Sequence, residues 1–237
     1  MSAAVSASRS DAPSFLLVHA LLVPGAFALA AVASTRFGID RAVTDLFFDP
    51  DRGTFPARDW LALELLGHRG AKSAAVALWL ALAAAALASL RVAQLARYRR
   101  VLWATVTAMA AGPLIVMWLK GINAHPCPWN LKEYGGYADY ADAWFVSAAE
   151  AGRCFPSGHA AGGFSLVALA FAARALHRDR LAQLALAVAL AGGALASAVR
   201  IVQGAHFLAH NLWSAAVVWC TAALVFAPLM RAHGDPR

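Results

Sequence analysis

The chain has 237 residues, of which 61% are hydrophobic and only 14% charged, with a mean hydropathy of +0.59. A soluble domain carries about a quarter of its residues as Asp, Glu, Lys and Arg, so this composition excludes an ordinary water-soluble fold and points into a bilayer. The net charge of +7 would suggest nucleic acid in a soluble protein; here the basic residues gather in short connections between apolar runs, which reads as membrane topology with no nucleic-acid partner.

Taken in order, the apolar runs predict helices near 13–34, 71–90, 101–119, 158–176, 181–199 and 211–230. Each is close to the length of about 20 residues that a bilayer crossing requires. The expected fold is all-α: a six-transmembrane-helix bundle with two long extracytoplasmic loops, forming a single membrane-embedded domain over 1–237. The first run ends in Ala30-Ala31-Val32-Ala33-Ser34, which resembles a signal cleavage region. Its leading segment balances Arg9 with Asp11, a poor basic n-region, so it reads as an uncleaved span.

The loops set the orientation. The connection 91–100 holds Arg91, Arg97, Arg99 and Arg100 with no acid, and 174–180 holds Arg174, Arg178 and Arg180 against Asp179. The tail adds Arg231 and Arg237 against Asp235. The long connection 36–70 sets Arg36, Arg41, Arg52, Arg58 and Arg69 against six acids, and 120–157 sets Lys120, Lys132 and Arg153 against Glu133, Asp139, Asp142 and Glu150. The positive-inside rule puts both termini in the cytoplasm and both long loops outside. Within the first long loop, Leu46-Phe47-Phe48 and Trp60 to Leu66 look amphipathic, either a lid at the interface or a packing loop over the bundle. The second has an interfacial aromatic character, from Trp129 to Phe145.

Between two apolar runs lies Cys154-Phe155-Pro156-Ser157-Gly158-His159. A Pro-Ser-Gly turn opening a helix turns free N–H groups, a hydroxyl and an imidazole toward one point, an anion cradle with a proton donor. The plainer reading makes Ser157 an N-cap and nothing more. Two further groups argue against stopping there. Lys120 ends the third run, and Arg200 ends the fifth, with His206 and His210 just beyond it. Lysine and arginine at span ends often snorkel to headgroups. Convergence of two cations, an amide turn and imidazoles on one face is instead what a phosphate site requires.

These residues resemble the three motifs of the type 2 phosphatidic acid phosphatase superfamily: K-x6-R-P, P-S-G-H and S-R-x5-H-x3-D. The second stands complete as Pro156-Ser157-Gly158-His159. The first is present in part as Lys120, six residues, Cys127-Pro128, and the third as Arg200, five residues, His206. Cys127 stands in place of the Arg, Val199 in place of the Ser and His210 in place of the Asp. The segment 204–213 looks like a bacterial subgroup with a second His at that place. The resemblance implies His206 as nucleophile forming a phosphohistidine, and His159 as acid and then base. Lys120, Ser157, Gly158 and Arg200 would bind the phosphoryl oxygens. His210, or less well Asn211, would orient His206. His125 or, better, Arg153 would fill the place of the missing Arg.

The cations being the protein's own, no metal or other cofactor is expected. The expected partner is a membrane lipid phosphate in a bacterial inner membrane, with the site facing the periplasm. Substrates of that kind include phosphatidic acid, phosphatidylglycerophosphate, undecaprenyl diphosphate and lipid A phosphate. A phosphotransferase using the same intermediate is the alternative, as is a non-catalytic lipid-binding or transport protein of the same fold. On the oxidising side of the membrane, Cys127 and Cys154 are expected to pair as a disulfide rather than remain two free thiols, while Cys220 reads as a buried apolar residue.

Overall fold

The structure, a computed structural model, describes residues 12–63 and 70–231. Arg9, Asp11, Arg69, Asp235 and Arg237 of the charge argument, and the 64–66 end of the Trp60 stretch, lie outside the described residues. All the long elements are helices, and no strand occurs among the described residues. They are α1 (Ser14–Arg36), α2 (Ile39–Asp45), α3 (Ala71–Ala88), α4 (Arg99–Lys120), α5 (Gly158–Phe164), α6 (Val167–Ala175), α7 (Asp179–Val202) and α8 (Leu208–Arg231). Helix α1 is π-helical over Leu17–Leu22, where the Val23 N–H bonds Val18 O. Pro24 has no N–H to return to the preceding turn, and the ladder widens just before it.

Four of these helices, α1, α4, α7 and α8, are long and apolar enough to cross a membrane. The second expected span, α3, is a shorter apolar helix. The run at 158–176, expected as one helix, is two, α5 and α6, broken at Ser165 and Leu166. There the ladder tightens: Leu166 and Ala168 N–H groups bond carbonyls three residues back, and Ser165 Oγ donates to Gly162 O at 2.7 Å. A serine that bonds its own preceding turn, after two helix-weakening glycines, competes with the regular ladder.

Helix α8 is the hub. Half of its apolar window is covered, against 17–33% in the other three spans. Trp219, Ala222, Ala223 and Phe226 pack with Met109 of α4, Phe171 of α6 and Phe15 of α1, and Ala215 and Val218 pack with Val116 and Phe164. Helices α5 and α7 meet through glycines. A Cβ on Gly163 would lie 2.8 Å from Gly192 O, and one on Gly193 would lie 2.3 Å from the Phe164 ring. Small residues at that crossing let two backbones touch, which is how helices associate where no water drives them together.

The two long loops are tied together over one end of this bundle. Tyr134 donates its hydroxyl to Asp45 at 2.8 Å, and Arg41 pairs with Glu133 at 3.3 Å. Phe47 and Phe48 pack on a cluster of Phe55, Leu131, Tyr134 and Phe207, so the first of the two amphipathic stretches packs over the bundle; Trp60 and Leu61 of the second are exposed. Asn123, fully buried, donates to Leu119 O and Phe155 O and so closes the base of the second loop.

The glycine crossing yields a direct test. Gly162 and Gly163 are neighbours in one helix, but an added Cβ meets nothing within 4 Å at Gly162 and meets backbone at Gly163. Gly163→Ala should destabilise by about 1–3 kcal/mol through overpacking. Gly162→Ala should be neutral or slightly stabilising. Thermal unfolding of the two variants in detergent distinguishes them.

Candidate active site

The site sits where α4 ends, α5 begins, α7 ends and α8 begins. Two backbone links hold these ends in register. The Ser157 N–H donates to His210 O at 3.0 Å, and Ser214 Oγ donates to Ser157 O at 2.8 Å and reaches His210 O at 2.9 Å. The start of α8 is held from a third direction. Asp40, 8% exposed, accepts from Ser34 Oγ, Thr35 Oγ1 and the Ala209 N–H, the last at 2.8 Å. A carboxylate on an otherwise open N–H of a first helical turn is a cap supplied from 169 residues away. The turn from α7 into this region passes through Gly204 at φ +70°, where a Cβ would also strike the Phe55 ring at 2.4 Å. Only glycine meets both demands.

Around this frame the predicted residues gather. Lys120 brings its ammonium against Gly158, 3.8 Å from where a Cβ would stand. Ser157 is fully buried and its Oγ accepts from the Ala160 N–H at 3.4 Å, so it is an N-cap as well as a site residue. The rings of His159 and His206 are 6.0 Å apart, and those of His206 and His210 are 5.8 Å apart, edge to face. His206 is 3% exposed. Burial, foremost, and then the positive fields of His210, Lys120, His159 and Arg200 hold its pKa well below the ordinary imidazole range. At neutral pH it is therefore an uncharged imidazole, the form that can attack phosphorus.

The neighbour of His206 Nδ1 is a residue other than His210 or Asn211. Nδ1 of His206 faces Cys154 Sγ at 3.3 Å, and Cys154 is joined to Cys127 in a disulfide. His210 offers a ring edge, and its own Nδ1 is buried with no hydrogen-bond partner among the described residues. Asn211 gives its amide N–H to Phe207 O. The His210 imidazole, held by Phe155 and Phe207, packs its edge against the His206 ring.

Both residues suggested for the missing Arg are engaged elsewhere. Arg153 is exposed and directs its guanidinium to Ala148 O in its own loop, at 3.3 Å. His125 bonds Asn123 Oδ1, stacks on Phe155 at 4.6 Å and faces another space. That space is a cavity of about 450 Å³, also lined by Arg36, Asp40, Arg41 and His210. Of the residues expected at the site, only His125 and His210 line it, and Lys120, Ser157, His159, Arg200 and His206 do not, so the cavity lies beside that cluster and not within it.

A residue that sequence reasoning passed over shares a ring with Arg200. Arg58, from the first long loop, lays its guanidinium over the Trp129 ring at 4.7 Å, and Arg200 lies over the same ring at 5.4 Å. Gln203 connects them, accepting from Arg200 at 2.8 Å and donating to Arg58 O at 3.3 Å. Trp129 is itself fixed by its N–H on Gly204 O. The only sequence signal was an Arg in a loop assigned to the same face.

No curated protein and no solved structure matches the chain. The model of the PAP2 superfamily matches residues 101–232, which run from α4 through α8 and contain the motif residues just described; the chain belongs to the PAP2 superfamily.

Proposed function

We propose that the protein is a metal-independent phosphatase of membrane lipid phosphates, working through a phosphohistidine on His206 at the outer face of the inner membrane. One observation carries this reading: His206 is buried, its ring lies 6.0 Å from that of His159, and the Lys120 ammonium stands against Gly158 in the same turn. With Nδ1 turned to Cys154, the other ring nitrogen, Nε2, is the one left for chemistry. It forms a bond to phosphorus as the bond from phosphorus to the lipid oxygen breaks. His159, a ring's width away, gives its proton to that leaving oxygen. It then takes a proton from the water that breaks the Nε2–P bond and releases inorganic phosphate.

Lys120, Arg200, Ser157 and the Gly158 N–H hold the equatorial oxygens, where charge gathers during transfer. Arg58 supplies the guanidinium that Cys127 cannot, reaching in from the first loop beside Arg200. On this reading α3 and the broken pair α5–α6 complete six crossings. The Arg-rich ends of α4 and α7 face the cytoplasm and the motif ends face the periplasm.

Phosphate release by purified protein from a panel of lipid phosphates in the presence of chelator is the primary test. His206→Ala should reduce turnover to background with the fold retained, and acid-labile phosphate on the protein should vanish with it. Full phosphate release by that variant would discard the mechanism.

For Arg58 the expectation is graded. Arg58→Ala should lower kcat/KM by about 10- to 100-fold, the scale of one lost charge-assisted contact to phosphate. Arg58→Lys should recover part of it, because charge is kept and the fork is lost. Arg153→Ala, by contrast, should leave kcat/KM within about twofold. Equal effects at the two positions would remove Arg58 from the site.

Topology is read with single cysteines in a Cys220→Ala background. Ser147→Cys should react with a membrane-impermeant thiol reagent in cells with a permeabilised outer membrane, and Ala96→Cys should not. The reverse pattern would move the site to the cytoplasm.

A further inference from the structure

The sulfur beside His206 has a second chemistry. Cys127 Sγ, Cys154 Sγ and a ring nitrogen of His206 all lie within 4.8 Å of one another, and Cys154 Sγ is 3.3 Å from Nδ1. A tetrahedral zinc ion, with bonds of about 2.3 Å to sulfur and about 2.0 Å to nitrogen, holds an S···N pair roughly 3.6 Å apart and two sulfurs roughly 3.7 Å apart. The S···N pair is thus already near ligand spacing. The separation that must grow most is that between the sulfurs, and the disulfide bond is what prevents it.

We propose that reduction of the Cys127–Cys154 disulfide converts this corner of the site into a two-thiolate, one-imidazole site for a thiophilic divalent cation, zinc or its like, which takes His206 out of catalysis. The opening step is thiol–disulfide exchange with a dithiol reductant. Cys127 is partly exposed while Cys154 is fully buried, so the attacking thiolate bonds to Cys127 Sγ and Cys154 leaves as thiolate beside the imidazole. The reductant's second thiol then frees Cys127. The reductant is left as a disulfide, and two electrons and two protons have passed to the cysteines. Metal binding releases those two protons, and the ion takes both sulfurs and Nδ1, with a fourth position open.

The consequence for His206 follows from imidazole chemistry and rests on its reading as the nucleophile. With metal on Nδ1, the ring's one proton must sit on Nε2. Nε2 then has no lone pair to offer phosphorus. In the oxidised protein the disulfide sulfur 3.3 Å from Nδ1 has no proton to give, so the contact favours the tautomer with its proton on Nδ1 and its lone pair on Nε2. The two states of one cysteine pair would therefore select opposite tautomers of the nucleophile.

The experiment uses the full chain in detergent and Co²⁺ alone as the probe. A phosphine serves as reductant because it forms phosphine oxide and competes little for metal. Oxidised protein should show no thiolate-to-cobalt charge-transfer band. Reduced protein should bind about one Co²⁺ per chain with that band, and Zn²⁺ should displace it. Reduced His206→Ala should bind at least about tenfold more weakly, with His206→Asn giving the same answer if the alanine variant does not fold. Phosphate release by reduced protein should fall at least about tenfold on adding one equivalent of Zn²⁺ and return with chelator. Absence of the band in reduced wild type, or equal affinity in the His206 variants, would overturn the site. Cobalt binding is read without substrate, so a protein that releases no phosphate in any state would defeat the nucleophile reading and leave the metal site to be decided by the band.

Discussion

The site depends on one backbone hydrogen bond, from Ser157 N–H to the carbonyl of His210. It joins the turn that carries Ser157, Gly158 and His159 to the helical turn that follows His206. Ser214 strengthens the joint by bonding both carbonyls involved. All of these groups are buried, so a break would leave polar atoms with no water to replace their partners, a cost of about 1–3 kcal/mol each. Such a joint has few alternative arrangements. It holds the His159 ring at the start of α5 and the His206 ring in the turn before α8 6.0 Å apart, the kind of pre-organisation that phosphoryl transfer requires.

The same corner also shows how one missing charge is redistributed. Cys127 bonds to Cys154, so the segment after Lys120 is held to the Pro-Ser-Gly-His turn by a covalent bond rather than by a shared anion. A guanidinium, that of Arg58, lies over the Trp129 ring in a loop that the family motifs do not cover. Trp129 gives both Arg58 and Arg200 an aromatic face to lie on, a contact of about 0.5–2 kcal/mol that orients a guanidinium without neutralising it. A carboxylate in that place would have bound the cation more tightly and competed with phosphate.

The surrounding bundle serves this arrangement by close approach. Gly163 and Gly193 bring α5 and α7 backbone to backbone, so that Ser157 at the head of one and Arg200 at the foot of the other end up at the same level. Asp40 fixes the level of α8 by capping Ala209. Neither device belongs to the cluster of Lys120, His159, Arg200 and His206, yet each sets where one of its elements begins or ends.

The sequence by itself determined the all-helical membrane character, the end of the bundle on which the motif residues meet, and the membership of His159, Lys120, Arg200 and His206 in one group. Those properties follow from hydropathy, from charge in short loops and from local spacing, all of which act along the chain. The tertiary structure alone decided the neighbour of Nδ1, the guanidinium beside Arg200 and the cap on α8. Cys154 and His206 are separated by 52 residues, Arg58 and Gln203 by 145, and Asp40 and Ala209 by 169. No local periodicity carries information over such distances. Which of several polar groups reaches a buried atom is settled by how rigid helices cross, and those crossings depend on glycines and side-chain volumes distributed over the whole chain. The break in the 158–176 run has a nearer cause, a serine's bond to its own preceding turn, and hydropathy averaged over a span does not register it.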